Sequence, residues 1–247
     1  MNAAIELSGV SASRGGRPVL HDVTLAVDRG ETVALVGRSG SGKTTLLRLV
    51  NRMLDPDRGA VIVDGRDTRA WDPVALRRRT GSVIQDIGLF PHLTVAANVA
   101  TVPRLLGWPD DRIDARVLEL LALVGLDPAI FSGRWPDELS GGQRQRVGLA
   151  RALAADPPVL LMDEPFGAVD PMTRKDLHAE FLRVQATLHR TVLLVTHDMQ
   201  EATVLADRIA VLHEGRVIAC DRPRILEAST DARVTDLIGP RPQTERR

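Results

Sequence analysis

The sequence predicts an α/β fold, a mostly parallel sheet with helices between its strands. Three observations point there. Short apolar runs at Thr32 to Val36, Pro158 to Met162 and Thr191 to Thr196 have the length and continuity of strands buried on both faces. Segments of 3.6-residue periodicity separate them, as the long crossovers of a parallel sheet require. The runs lead directly into Gly37, Asp163-Glu164 and His197, and a further short run leads into Gln85. Ligands of such sheets gather beyond the C-terminal strand ends, so these residues are expected to converge on one edge.

Taken in order, residues 5–37 read as β structure. Ile5-Glu6-Leu7, Val19 to Val27 and Thr32 to Val36 are alternating or apolar runs, punctuated by Arg14-Gly15-Gly16 and Asp28-Arg29-Gly30. An amphipathic helix is expected over Thr44 to Met53, then a strand from Gly59 to Val63 reaching a tight turn at Asp64-Gly65. A basic segment, Leu76 to Arg79, leads into the strand Gly81 to Gln85. From Asp86 to Val147 the pattern is helical. Thr94 to Leu106 and Arg112 to Val124 are broken by Gly107, Pro109 and Gly125, and Leu139 to Gln143 forms a turn into a helix over Arg144 to Ala155. The strand Pro158 to Glu164, a helix over Asp176 to His189, the strand Thr191 to Thr196 and a helix over Met199 to Ala206 follow. Ile209 to His213 and Arg216 to Cys220 make a hairpin around Glu214-Gly215, and the polar, proline-containing Pro240 to Arg247 is expected to be mobile.

Bulk properties exclude several classes. A length of 247 residues suits one large domain or two closely joined lobes. Hydrophobic content of 44% and charged content of 26% are those of a soluble globular protein. No run approaches 18 apolar residues, and the N-terminus lacks a basic segment and a long apolar stretch, so neither a membrane span nor a secretory leader is expected. The 32 basic residues balance 32 acidic ones, which gives no net field for nucleic acid or an anionic membrane. Cys220, the single cysteine, cannot form an internal disulfide and fits a reducing compartment. A cytoplasmic protein is expected, unless a partner holds it at a membrane.

The chemistry begins at Gly37. Gly37-x4-Gly42-Lys43-Thr44 fits the phosphate-binding pattern G-x-x-x-x-G-K-[S/T] between a strand and a helix. Gly37, Arg38, Ser39, Gly40, Ser41, Gly42, Lys43, Thr44 and Thr45 are the candidate phosphate contacts. Bare glycines let phosphate oxygens reach backbone N–H groups, and the helix adds the positive end of its dipole. Lys43 is a cation for the β- and γ-phosphates, and Thr44 offers a hydroxyl to Mg²⁺. Asp163, at the end of an apolar strand, is the natural metal partner opposite Thr44. Glu164 is placed to orient or deprotonate an attacking water, the alternative being that both acids simply cap a strand. Gln85 could reach the metal or the water and His197 the γ-phosphate, although a polar residue after a strand is usually a cap. Ser140, Gly141, Gly142 and Gln143 form a second anion site: a hydroxyl and bare amides at a helix N-terminus. One explanation is that it serves the nucleotide of another subunit.

The order and spacing of these motifs, with Asp170 in Gly167-Ala168-Val169-Asp170, resemble those of ATP-binding cassette ATPases over residues 3–238. The resemblance implies a phosphate-loop NTPase, RecA-like core with an N-terminal antiparallel β subdomain and a helical subdomain bearing Ser140 to Gln143. A core lobe of about 3–86 and 156–238, a helical lobe of about 87–155 and a tail at 239–247 are expected. It also implies ATP and Mg²⁺, and a head-to-tail sandwich of two copies. In that sandwich Ser140, Gly141 and Gly142 meet the γ-phosphate held by the partner's Lys43, and Asp170 lies in the loop that crosses the interface. Where the family commonly stacks an aromatic residue on adenine, Arg14 stands, and a guanidinium plane can take that place.

Asn51-Arg52-Met53, the stretch Gln85 to His92, Asp163 to Gly167 and Ala152 to Pro157 look most like the ATPase subunits of quaternary-amine osmoprotectant importers. This implies a separate membrane permease, indirectly a substrate-binding protein, glycine betaine, choline or carnitine as solute, and a place on the inner face of the membrane. Other solutes, such as amino acids or sulfonates, stay open, and a non-transport role on DNA or ribosomes fits the balanced charge poorly. Many members carry regulatory modules after the ATPase, and this chain is expected to lack them. Leu89-Phe90-Pro91 either docks the permease or packs the helices onto the sheet.

Overall fold

The structure is a computed structural model and describes residues 3–85, 87–167 and 169–238. The tail expected to be mobile lies outside the described residues, as do Asp86 and Ala168. Strands β1 (Ala3–Arg14), β2 (Arg17–Asp28), β3 (Thr32–Val36), β4 (Arg58–Val63), β5 (Arg66–Asp67), β6 (Thr80–Val83), β7 (Val159–Asp163), β8 (Thr191–Thr196), β9 (Arg208–His213) and β10 (Arg216–Asp221) form two sheets. One is antiparallel, in the order β2-β1-β4-β5. The other runs β10-β9-β3-β8-β7-β6, parallel except for the β10 edge. The α/β reading therefore holds.

Side-chain alternation explains why the parallel strands are apolar throughout. Val33, Leu35, Leu161, Leu193 and Val195 face one buried cluster, shared with β1, β2, β4 and the helix α1 (Lys43–Val50). Ala34, Val36, Leu160, Met162, Val192 and Leu194 face the other. That second cluster is completed by helices that cover the opposite side of the sheet. Between β4 and β6 the basic segment forms a helix, α2 (Pro73–Arg79); Asp72 caps it and Pro73 opens it. Between β6 and β7 come α3 (Val95–Val99), α4 (Thr101–Leu105), α5 (Asp110–Leu123), α6 (Pro128–Phe131) and α7 (Gly141–Leu153). After β7 come α8 (Pro171–Leu188), α9 (Met199–Leu205), α10 (Pro223–Glu227) and α11 (Ala232–Ile238).

Three helix boundaries differ from expectation for local reasons. The helix expected over Thr94 to Leu106 is two short ones meeting at Ala100. Pro103 has no N–H for the Val99 carbonyl, and Thr101 turns its hydroxyl back onto the carbonyls of Ala97 and Asn98. Helix α7 starts at Gly141, inside the expected turn, because Ser140 and Gln143 close a reciprocal capping box. Helix α8 starts at Pro171, since the Asp170 carboxylate accepts the N–H groups of Met172 and Thr173.

Register sets the functional edge. Val36 lies opposite Thr196, Asp163 opposite Val195 and Val83 opposite Met162. Chain leaving β3, β8, β7 and β6 therefore emerges at one end of the sheet.

Candidate nucleotide site

At that end the chain leaves β3 through Gly37, which must be glycine: a Cβ there would stand 2.2 Å from the Leu212 carbonyl oxygen of β9. Gly42 sits at φ +109, and its Cβ would stand 2.6 Å from Leu20 Cδ2. Gly40, at φ +79, has nothing within 4 Å of a Cβ and faces open space. The two outer glycines thus serve packing, and the middle one keeps the loop surface bare. The turn delivers Lys43 as the first residue of α1, a helix with no acidic residue in its first turn and no side-chain cap. Its leading N–H groups therefore remain for an anion.

Lys43 is buried, and its Nζ donates to the carbonyls of Gly37 at 2.8 Å and Arg38 at 3.2 Å. Burial depresses its pKa, while the Glu164 and Asp163 carboxylates hold the cation up. Thr44 Oγ1 donates to Asp163 Oδ1 at 3.4 Å, joining α1 to the end of β7. Burial raises the Asp163 pKa; the Thr44 hydrogen bond opposes this, the Glu164 charge adds to it, and Arg48 and Lys43 oppose it. Glu164 follows with a left-handed backbone, φ 46, its N–H bonded to the Val195 carbonyl. Its Oε2 stands 3.1 Å from His197 Nδ1.

A cavity of about 780 Å³ opens over this edge, lined by Arg14, Val19, Ser39, Gly40, Gly42, Lys43, Thr44, Thr45, Gln85, Glu164 and His197. Gly37 and Ser41 are buried, Arg38 is exposed, and Asp163 reaches the cavity wall through Thr44. Val19 is a wall residue that the sequence reading missed, because an apolar residue on an alternating strand looks like core. Ser140, Gly141, Gly142, Gln143 and Asp170 do not line the cavity. They sit together instead: a Cβ on Gly142 would stand 2.6 Å from Thr173 Cγ2 of α8, and one on Gly141 3.8 Å from Val169. Ser140 is exposed, and its Oγ accepts the Gln143 N–H.

The donor set fits a hard dication. Asp163 and Thr44 supply oxygens, Gln85 lines the same cavity, and a cation would relieve the burial cost on the Asp163 carboxylate. Among the described residues no cluster of three or more His, Cys, Asp or Glu forms a cage of its own. Mg²⁺ suits such a sparse site, since it keeps waters and takes phosphate oxygens as ligands.

This constellation coincides with a family match: the model described as ABC transporter fits residues 20–167. The chain belongs to the ABC transporter family. Over 237 residues it is 47% identical to the choline transport ATP-binding protein OpuBA of Bacillus subtilis, covering 95% of this chain and 62% of that one. It is 50% identical over 210 residues to the osmoprotectant import ATP-binding protein OsmV of Salmonella typhimurium, covering 84% of this chain and 55% of the relative. The chain thus spans less than two thirds of the length of these curated relatives. A dimeric solved structure of the ATP-binding cassette MJ0796, in a post-hydrolysis state bound to ADP and Pi, aligns with TM-score 0.77 at 33% identity. That alignment covers 89% of this chain and 99% of the cassette. No helix among the described residues of this ABC chain is long and apolar enough to cross a membrane.

Proposed function

We propose that this chain is the ATP-hydrolysing subunit of an importer for a quaternary-amine osmoprotectant, working as a head-to-tail pair beneath a separate permease. The observation that carries the paired reading is the split between two groups of residues. Lys43, Thr44, Gln85, Glu164 and His197 share one cavity, while Ser140 to Gln143 stand outside it at an exposed helix start. A second copy supplying Ser140, Gly141 and Gly142 closes the open side. The dimeric cassette bound to ADP and Pi supports the arrangement, and the named transport roles of the two relatives support the solute class.

In this reading the loop from Gly37 to Thr45 wraps the phosphates and Arg14 stacks on adenine. Lys43 leaves the carbonyls of Gly37 and Arg38 for the β- and γ-phosphates. Bound Mg²⁺, held by Thr44, Asp163 and Gln85, supplies charge neutralisation and Lewis acidity at the phosphates. Glu164 takes the proton of the attacking water as general base, and His197 orients Glu164 and reaches the γ-phosphate. A core lobe of 3–86 and 156–238 and a helical lobe of 87–155 divide the work, the second presenting Ser140 to the partner copy. Leu89 packs against the buried cluster, whereas Phe90 is 40% and Ile84 50% exposed, so Phe90 is the proposed permease contact. The permease holds the chain at the inner face of the membrane, and a substrate-binding protein delivers the solute.

The test is reconstitution with its permease and binding protein in vesicles. Choline, glycine betaine or carnitine should stimulate ATP hydrolysis and accumulate. Stimulation by an amino acid or sulfonate alone would overturn the solute class and leave the ATPase reading intact.

A further inference from the structure

Gln85 lines the cavity and stands between a strand that ends at Val83 and a loop that is fastened to α7 and α3. The fastening is specific. Arg151 of α7 donates through Nη2 to the Ile87 carbonyl at 2.5 Å and through Nη1 to the Gly88 carbonyl at 2.6 Å. Its guanidinium also lies 5.8 Å from the centre of the Phe90 ring. Gly148, one turn earlier on α7, has no Cβ because Ile87 fills the space; a Cβ there would stand 2.8 Å from Ile87 Cγ2. Asn98 of α3, fully buried, holds the rest of the loop. It accepts the Phe90 N–H and donates to the carbonyls of Phe90, Leu93 and Thr94.

Arg151 is costly to keep there. Burial lowers its pKa, and its guanidinium donates to the backbone carbonyls of Ile87 and Gly88. A half-buried guanidinium spent on two main-chain oxygens holds the backbone path of Ile87 and Gly88. The same helix begins at Ser140, eleven residues before Arg151 or about 16 Å along the axis. One rigid element therefore carries the residues offered to a partner copy and the grip on the loop that follows Gln85.

We propose that Arg151 is a positioning residue for Gln85: by fastening Ile87 and Gly88 to α7, it fixes the stance of Gln85 in the cavity. The inference rests on the reading of Gln85 as a metal or water ligand.

The experiment pairs Arg151→Lys, which keeps the charge but not the two-pronged grip, with Gln85→Ala. Hydrolysis, its Mg²⁺ requirement and backbone amide exchange at 84–90 are measured in the full chain. Arg151→Lys should raise the half-saturating Mg²⁺ about tenfold, leave the KM for ATP within about twofold, and quicken exchange at 87–90. In the Gln85→Ala background it should change the Mg²⁺ requirement no further. An equal loss of kcat in both backgrounds with the metal requirement unmoved, or exchange at the parent rate, would overturn the inference. Failure of the underlying reading shows separately, as a Gln85→Ala variant with the parent's Mg²⁺ requirement, and amide exchange still decides whether Arg151 holds the loop.

Discussion

His197 Nδ1 stands 3.1 Å from Glu164 Oε2, bringing the first residue after β8 onto the first residue after β7. Glu164 makes this contact from a left-handed backbone, φ 46. Glu164→Gln keeps this shape and removes the proposed base. It should lower kcat by about 10²–10⁴ while ATP affinity stays within about twofold. His197→Ala should fall in the same direction by less, since the base survives without its orienter. Single-turnover hydrolysis alongside nucleotide titration checks both.

Asp163 carries a cost that its proposed metal role explains. Its pKa is raised in the fold, so the protonated form contributes stability below the ordinary carboxylate pKa, and that contribution is lost as pH rises through the raised value. At neutral pH the ionised group is therefore a net burden, and Asp163→Asn should raise Tm while abolishing Mg²⁺-dependent hydrolysis. The acid limb of the pH–rate profile should start above the usual Asp range and move to lower pH as Mg²⁺ is increased. Thermal melts at neutral pH and pH profiles at two Mg²⁺ concentrations are the measurements.

Two glycines of the phosphate loop should fail in different ways. Gly37→Ala drives a Cβ to 2.2 Å from the Leu212 carbonyl and should cost about 3 kcal/mol or more in urea unfolding. Gly40→Ala meets no atom within 4 Å and carries only the strain of φ +79, about 1 kcal/mol. Its larger effect should be on ATP affinity, because the methyl group stands where the phosphate must approach.

Much of this site was legible because its parts are contiguous in the chain. Gly37 to Thr45, and Asp163 with Glu164, announce themselves by local pattern, and strand ends predict that they meet. Arg14 was reachable through the resemblance, and it lines the cavity. The starts of α7 and α8 were misplaced because Gly141-Gly142 and Asp170-Pro171 read as loop, although Ser140 and Asp170 are N-cap residues with their partners in sequence. Arg151 and Asn98 left no trace, since their partners are main-chain groups, which every residue has.

Arg14 and Val19 both line the cavity, and a Cβ on Gly42 would stand 3.4 Å from Val19 Cγ1. Arg14→Ala should raise the KM for ATP about three- to tenfold with kcat preserved, as loss of one stacked cation does. Arg14→Tyr should restore it. An unchanged KM in Arg14→Ala would remove Arg14 from the adenine site.

Phe90 separates coupling from catalysis. Phe90→Asp should leave hydrolysis by the chain alone within about twofold, because Leu89 faces the core and Phe90 is part exposed. Solute-stimulated hydrolysis with the permease should be lost. Loss of hydrolysis in the chain alone would assign Phe90 to packing instead.

The central claim is that one chain holds half a nucleotide site. Its most direct test is the size of Glu164→Gln at saturating ATP, with and without Ser140→Arg. The single variant should sediment as a dimer with ATP and as a monomer without it. The double variant should stay monomeric while binding ATP with unchanged affinity. A Glu164→Gln chain that remains monomeric at saturating ATP, or a Ser140→Arg change that weakens ATP binding to the monomer, would contradict the account.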